Sequence, residues 1–401
     1  MLEQSAKHKT FSSDRNAVRE ILLRGIKTEN NPEDRERLAA LISGPADFEY
    51  LLFLADFHGV TPILDYNLSQ AELKSLLPEV YQERLKRSFQ NNVYRNMFLS
   101  EELGKVLSIF NQRGIETISI KGIILSEQLY VNPLLRTTTD IDILVDGDKI
   151  AAARSLLVEM GYQELIEKRK RKHTFHHIYH KDSAFPLVIE LHWDLKDPSI
   201  VAFPISDIWH RSQVYRFHEN DTRILSPEDN FLYLAYSPIT QDGQLLKYLC
   251  DITQVLKIHR NTLNWDFILN TANSLGISPT VYYSLKWSRE LLGAPVPMSA
   301  MEKLKPALWK RWLVNLMMNN EDIFSPIKWN KLRNEILALT RSLMVNQVKK
   351  SLVVLAKYRG YNKKFVWLRT ITWIPLIFTA VMCLNVGKLL KRRNQRSGQI
   401  L

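Results

Sequence analysis

Apolar residues recur at helical spacing through the first quarter of the chain: Ile21, Leu22 and Ile26, then Phe48, Leu51, Leu52 and Leu54, then a long run from Pro78 to Phe110. Steps of three and four place such residues on one helix face, so residues 1–113 are predicted to be helical behind a polar, frayed start. At Ile115 the period changes. ETISI reads as a strand, GIILSEQLY as a helix opened by Gly122, DIDILV as a second strand, and DKIAAARSLLVEMGY as a helix ending at Gly161. HTFHHIYH and PLVIELHW add two β-rich stretches around the turn-forming KDSAF. The mixed pattern occupies residues 115–195, and the α/β domain is expected to span 114–225.

Beyond this point the helical period returns. In SPEDNFLYLAY, Ser226 can cap, Pro227 suits the first helical position, and Glu228 and Asp229 complement the helix dipole. Helices are predicted over 242–260, 264–275 and 279–292, within a helical domain of residues 226–335, and residues 336–401 remain as a basic, apolar segment. The predicted class is α+β, one sheet-bearing domain between helical regions.

The sharpest local feature is Asp140-Ile141-Asp142 entering an apolar strand. Side chains alternate across a strand, so aspartates at i and i+2 share a face and can hold divalent cations together. Aspartate is a poor strand former, so the pair calls for a reason. Lys121-Gly122 lies between the first strand and its helix, where backbone N–H groups and a cation can receive a triphosphate. Glu190 and His192 share a face of the strand LVIELHW, and a metal would relieve the cost of a buried acid there.

In order, Lys121-Gly122, Leu125, Tyr130, Pro133, Arg136, Asp140-Ile141-Asp142-Ile143-Leu144-Val145, Met160-Gly161-Tyr162 and Glu190-Leu191-His192-Trp193 form a joint pattern. It resembles the poorly characterised bacterial nucleotidyltransferases of the polymerase-beta-like superfamily. DFEYLLFLADFHGVTPIL and SPEDNFLYLAY are similar to that family's helical flanks, so the resemblance covers residues 15–290, about seven-tenths of the chain.

The resemblance implies a polymerase-beta-like sheet bearing three metal-binding acids, here Asp140, Asp142 and Glu190, with Mg2+ or Mn2+ as cofactor. It implies transfer of a nucleoside monophosphate from a nucleoside triphosphate to a hydroxyl acceptor that the sequence does not identify. Lys121, Gly122 and Arg136 become the expected nucleotide-binding residues, with Lys121 exposed and facing the aspartates across a gap. Two departures stand out: Lys121-Gly122 replaces the usual Gly-Ser turn, as in toxin-type relatives with Lys-Gly-Gly, and Tyr233-Leu234-Ala235-Tyr236 stands where many relatives carry histidine. A DxD motif also fits a nucleotide-sugar glycosyltransferase, although that fold wants a longer α/β array upstream. A non-catalytic binding module on the same fold is the third alternative.

His173, His176, His177 and His180 do not place three imidazoles on one strand face, which argues against zinc. His176 or His177 faces Glu190 according to a register the pattern does not fix; His177 and His192 are the expected supporting neighbours of the acids. Asp251, in YLCDITQVL, reads as a structural pairing residue.

Composition supports a globular chain: 45% hydrophobic and 24% charged residues exclude disordered, collagenous and disulfide-scaffold classes. Cys250 and Cys383, the only cysteines, stand far apart, and no apolar run follows the basic residues of MLEQSAKHKT. Both features predict a cytoplasmic, reducing setting without a secretory signal.

Charge changes the picture at one end. The formal net charge is +12, yet thirteen basic and no acidic residues follow Glu335, leaving residues 1–335 at −1. Thr370–Gly387 is an eighteen-residue uncharged stretch flanked on both sides by basic residues. Such flanks suit peripheral association with an anionic membrane better than a span, and Phe365, Trp367 and Trp373 near its start favour that association over RNA binding. Removing residues 361–401 is expected to abolish flotation with anionic vesicles while leaving the melting transition unshifted. A collapsed transition, or a full-length chain that never floats, would contradict this reading.

Overall fold

The computed structural model describes residues 15–27, 31–165, 175–183, 185–240 and 245–317. The basic, apolar C-terminal segment lies outside them, as does His173. No helix among the described residues is long and apolar enough to cross a membrane.

The N-terminal region comprises α1 (residues 15–25), α2 (Pro32–Ile42), α3 (Phe48–Phe57), α4 (Thr61–Gln70) and α5 (Glu79–Gln112). Local chemistry sets the starts of α2 and α3. The side chain of Asn31 accepts from the Asp34 amide at 2.7 Å ahead of Pro32, and that of Asp47 accepts from the Tyr50 amide at 2.9 Å. The long helix α5 buries Leu99, Leu103, Val106, Leu107 and Phe110, spaced by threes and fours, in the core behind the sheet.

The sheet is built from β1 (Thr117–Ser119), β2 (Ile141–Val145), β3 (Gln163–Glu164), β4 (His176–Lys181), β5 (Leu187–His192), β6 (Gln213–Phe217) and β7 (Asn220–Ile224). Their order is β3-β4-β5-β2-β1-β7-β6, so the strand carrying Asp142 is central. It runs parallel to β5 and antiparallel to β1, and all five of its residues are buried. The class is α+β: parallel and antiparallel pairs mix in one sheet, with the longer helical regions before and after it in the chain.

The pleat of β2 separates two apolar cores. Ile141, Ile143 and Val145 pack with α5 and with α7 (Ile150–Glu159). On the other face Leu144 joins the larger core, together with residues of α8 (Ile205–Arg211), α9 (Pro227–Thr240), α10 (Leu245–Ile258), α11 (Trp265–Ser274) and α12 (Ser278–Leu292). Asp142, two residues from Leu144, therefore looks toward the C-terminal helices. The strands β6 and β7 were not predicted: QVYRF and NDTRI are polar and short, and they gain strand character by pairing with each other and along β1.

The loop into β2 is held from both sides. On α5, Asn92 and Asn96 donate to the carbonyls of Leu134 and Arg136 at 2.6 and 2.9 Å. From α10, Asp251 accepts from Nε and Nη2 of Arg136 at 2.9 and 3.0 Å and from the Tyr130 hydroxyl at 2.8 Å. Arg136 is 2% exposed and Asp251 fully buried. Removing one partner of such a pair strands the other charge in the core. Asp251→Ala is expected to cost about 3–5 kcal/mol in urea unfolding, and the paired change Arg136→Met with Asp251→Leu distinctly less. A loss below about 1 kcal/mol for Asp251→Ala would contradict the clamp.

Candidate active site

Parallel pairing sets Asp142 of β2 directly beside Glu190 of β5, and Leu144 beside His192. Neighbouring residues in register share a face, so both carboxylates point the same way. Asp140, two residues before Asp142, completes the group. Asp140, Asp142 and Glu190 each offer an oxygen within 4.8 Å of the others.

The electrostatics of the cluster follow from burial. Asp142 is 2% exposed, and its Oδ1 is served by Lys121 Nζ at 2.9 Å and His192 Nε2 at 3.2 Å. His192 Nε2 also lies 3.3 Å from Glu190, and its Nδ1 faces the Asp194 carbonyl at 3.3 Å. Burial works against a charged imidazole, yet the hydrogen bonds to Asp142 and Glu190 prevail and raise its pKa. Burial likewise works to raise Glu190, but the His192 hydrogen bond and the Lys121 charge pull it down to about 2. The buried ammonium of Lys121 is held well above its ordinary pKa by Asp142 and Asp140.

Lys121 differs from the sequence expectation. It is 8% exposed, and no gap separates it from the acids: its ammonium sits 2.9 Å from Asp142 and 3.7 Å from Asp140. Gly122 makes this approach possible. Its φ of +76° is in the left-handed half of the map, and a Cβ there would meet the Asp140 carbonyl at 3.3 Å. The following helix, α6 (Ile123–Leu129), is a short one.

Two further site residues of the sequence reading stand elsewhere. Arg136 is buried and already engaged: Asp251 takes the Nε–Nη2 edge of its guanidinium in a bidentate pair, and its Nη1 donates to the Gly122 carbonyl at 3.5 Å. His177 is corrected to His176. The β4–β5 register pairs His176 with His192, which puts His176 on the site face; His177 lies on the other, against Glu164 at 2.8 Å and the Trp193 ring. His176, Glu190 and His192 form a second group whose ligand atoms lie within 4.8 Å of one another. Asp251 takes the structural pairing role expected of it.

The site also contains residues that sequence reading missed. Lys196, just beyond β5, is 8% exposed, and its ammonium lies 4.7 Å from the centre of the Tyr233 ring. Lys247 of α10 is 5% exposed and donates to the Thr137 carbonyl at 3.3 Å, in the loop that leads to Asp140. Tyr233 and Tyr248 are buried within electrostatic reach of Lys121 and Asp142. One signal was available: a lysine at a core-facing helical position, as in LLKYLCDI, is costly unless something uses it.

The cluster fits a divalent cation. Asp142 Oδ2 is buried and has no hydrogen-bond partner, and the three carboxylates are hard oxygen donors of the kind Mg2+ and Mn2+ take.

Burial depresses His176 to about 4, from an ordinary 6.5, and the neighbouring His192 charge acts in the same direction. The fold thus requires neutral His176. Its contribution is complete above about pH 6.5 and is lost as pH falls toward 4, amounting to at most roughly 3 kcal/mol. His176→Phe should flatten the pH dependence of unfolding free energy of the metal-free protein between pH 7 and 4. An unaltered slope would contradict a buried neutral imidazole.

Comparison with known proteins adds the family. A model described as uncharacterised nucleotidyltransferase matches residues 44–293, more than half of the chain. No curated protein matches. Among solved structures, an antigenic nucleotidyltransferase-like protein from Paracoccidioides brasiliensis overlaps at 14% identity, covering 51% of this chain and 95% of that one. Its TM-score of 0.32 is too low to support any structural argument. On the strength of the family match the chain belongs to the uncharacterised nucleotidyltransferase family.

Proposed function

We propose that the chain is a metal-dependent nucleotidyltransferase with a polymerase-beta-like sheet, moving a nucleoside monophosphate from a nucleoside triphosphate to a hydroxyl acceptor. The observation that carries this reading is the convergence of Asp140, Asp142 and Glu190 around a buried carboxylate oxygen that no protein group serves. These three residues would hold Mg2+ or Mn2+, which when bound neutralises charge on the transferring phosphate and makes the acceptor hydroxyl easier to deprotonate.

The acceptor oxygen attacks the α-phosphorus in line, forming a new P–O bond as the bond to the β-phosphate oxygen breaks and pyrophosphate leaves. Glu190, the most exposed end of the acid–imidazole chain, takes the acceptor proton and passes it to water. His192 keeps Asp142 and Glu190 aligned through its hydrogen bonds to both. Lys121 exchanges its contact with Asp142 for the outgoing phosphates. Gly122 acts sterically, by letting Lys121 lie against Asp140. Arg136 supports the loop rather than the nucleotide.

The test is to incubate the chain with each α-labelled nucleoside triphosphate, Mg2+ or Mn2+, and a lysate as acceptor source. Label transfer with pyrophosphate release is expected from the wild type, and a loss of about a thousandfold from Asp142→Asn. Transfer unaffected by Asp142→Asn would contradict the reading.

A further inference from the structure

Two buried lysines lie within electrostatic reach of the carboxylate cluster without a carboxylate of their own. Among the described residues, neither Lys196 nor Lys247 forms an ion pair. Lys196 has the Tyr233 ring beside it, and Lys247 has one backbone carbonyl at 3.3 Å and the Tyr248 ring at 5.6 Å. A lysine more than nine-tenths buried normally has a paired acid, because desolvating an ammonium is expensive.

Their placement gives the cost a purpose. Lys196 is within electrostatic reach of Lys121, Asp142 and Glu190, and Lys247 within reach of Lys121, Asp140 and Asp251. Lys121 comes from the turn after β1, Lys196 from the segment after β5, and Lys247 from α10. Three separate parts of the chain thus bring an ammonium to one carboxylate cluster, Lys196 on its Asp142–Glu190 side, Lys247 on its Asp140 side, and Lys121 between them. Like charges gathered this way repel: burial, with a neighbouring cation acting in the same direction, pulls Lys196 down to about 7 and Lys247 to about 8. Lys121 has Asp142 as its partner, and an incoming polyanion would supply Lys196 and Lys247 with the anionic partner they lack.

Resting on the nucleotidyltransferase reading, we propose that Lys196 and Lys247 are phosphate-binding residues that, with Lys121, form a three-lysine cradle for the triphosphate of the nucleotide. The cradle holds the part common to all nucleoside triphosphates, independent of the base. It also gives the departing pyrophosphate fixed positive partners on the helical side of the site. Each ammonium donates charge-assisted hydrogen bonds to phosphate oxygens, which compensate its burial only in the complex. The price of the cradle is a less stable free protein.

The probe is magnesium tripolyphosphate, which carries the phosphates and no base, titrated calorimetrically into full-length wild type, Lys196→Met, Lys247→Met and the double variant. Each single variant is expected to bind about tenfold more weakly, and the double variant about a hundredfold. Melting of the free variants reads out folding independently: the transition should stay level or rise by a few degrees, because an uncompensated buried charge has been removed. A lysine that merely braced the fold would lower the transition and leave affinity alone. Wild-type binding with unchanged affinity in the double variant overturns the cradle and leaves the nucleotidyltransferase reading standing. A wild type that binds neither tripolyphosphate nor any nucleoside triphosphate overturns both.

Discussion

Everything at this site depends on one carboxylate at the centre of a sheet. Asp142 stands on the middle strand and is 2% exposed, so its charge must be answered by protein groups or by a bound cation. Lys121 and His192 answer one oxygen and leave the other without a partner. Around that requirement the sequence spends residues that would otherwise be unfavourable: a glycine at φ +76°, a buried lysine, and a histidine shared between two acids. In this arrangement the Lys121 ammonium serves as the cation of the cluster, which is why the protein can fold around converging acids at all.

The helices complete the site as well as enclosing it. Asn92 and Asn96 of α5 and Asp251 of α10 fix the backbone leading into Asp140 from opposite sides. Lys247 and Asp251 lie one turn apart on α10, so one helix both clamps the loop and presents an ammonium to the acids. The sheet divides the molecule into two apolar cores, with the even-numbered residues of β2 turned to the larger. That division sets the face bearing Asp142 against α9 and α10, the source of Tyr233 and Tyr248.

Much of this geometry was legible in the sequence, because it rests on the two-residue period of strands. Asp140 with Asp142, and Glu190 with His192, share faces whatever the surrounding fold, and the helical runs after Pro227 were evident from their spacing. Other features depend on tertiary placement. His176 and His177 differ by a single step of strand register, which leaves the hydrophobic pattern of HTFHHIYH unchanged. Lys196 follows Glu190 by six residues but beyond the end of the strand, where the two-residue period no longer places it, and Lys247 meets the acids only because α10 packs beside them. Arg136 read as a phosphate contact since nothing in its neighbourhood of the chain reveals Asp251, 115 residues away. The hairpin β6–β7 lacked apolar alternation because its strands are stabilised by pairing at the sheet edge.

The claim underlying this account is that the acids of β2 and β5 form a cation site whose place Lys121 partly takes in the free protein. The most direct measurement is an anomalous-scattering map from crystals grown with Mn2+ and a non-hydrolysable nucleoside triphosphate. The expected result is a manganese peak bounded by Asp140, Asp142 and Glu190, with the Lys121 ammonium moved from Asp142 to the phosphates. Nucleotide bound elsewhere, with Lys121 still on Asp142 and no manganese between the three carboxylates, would contradict it.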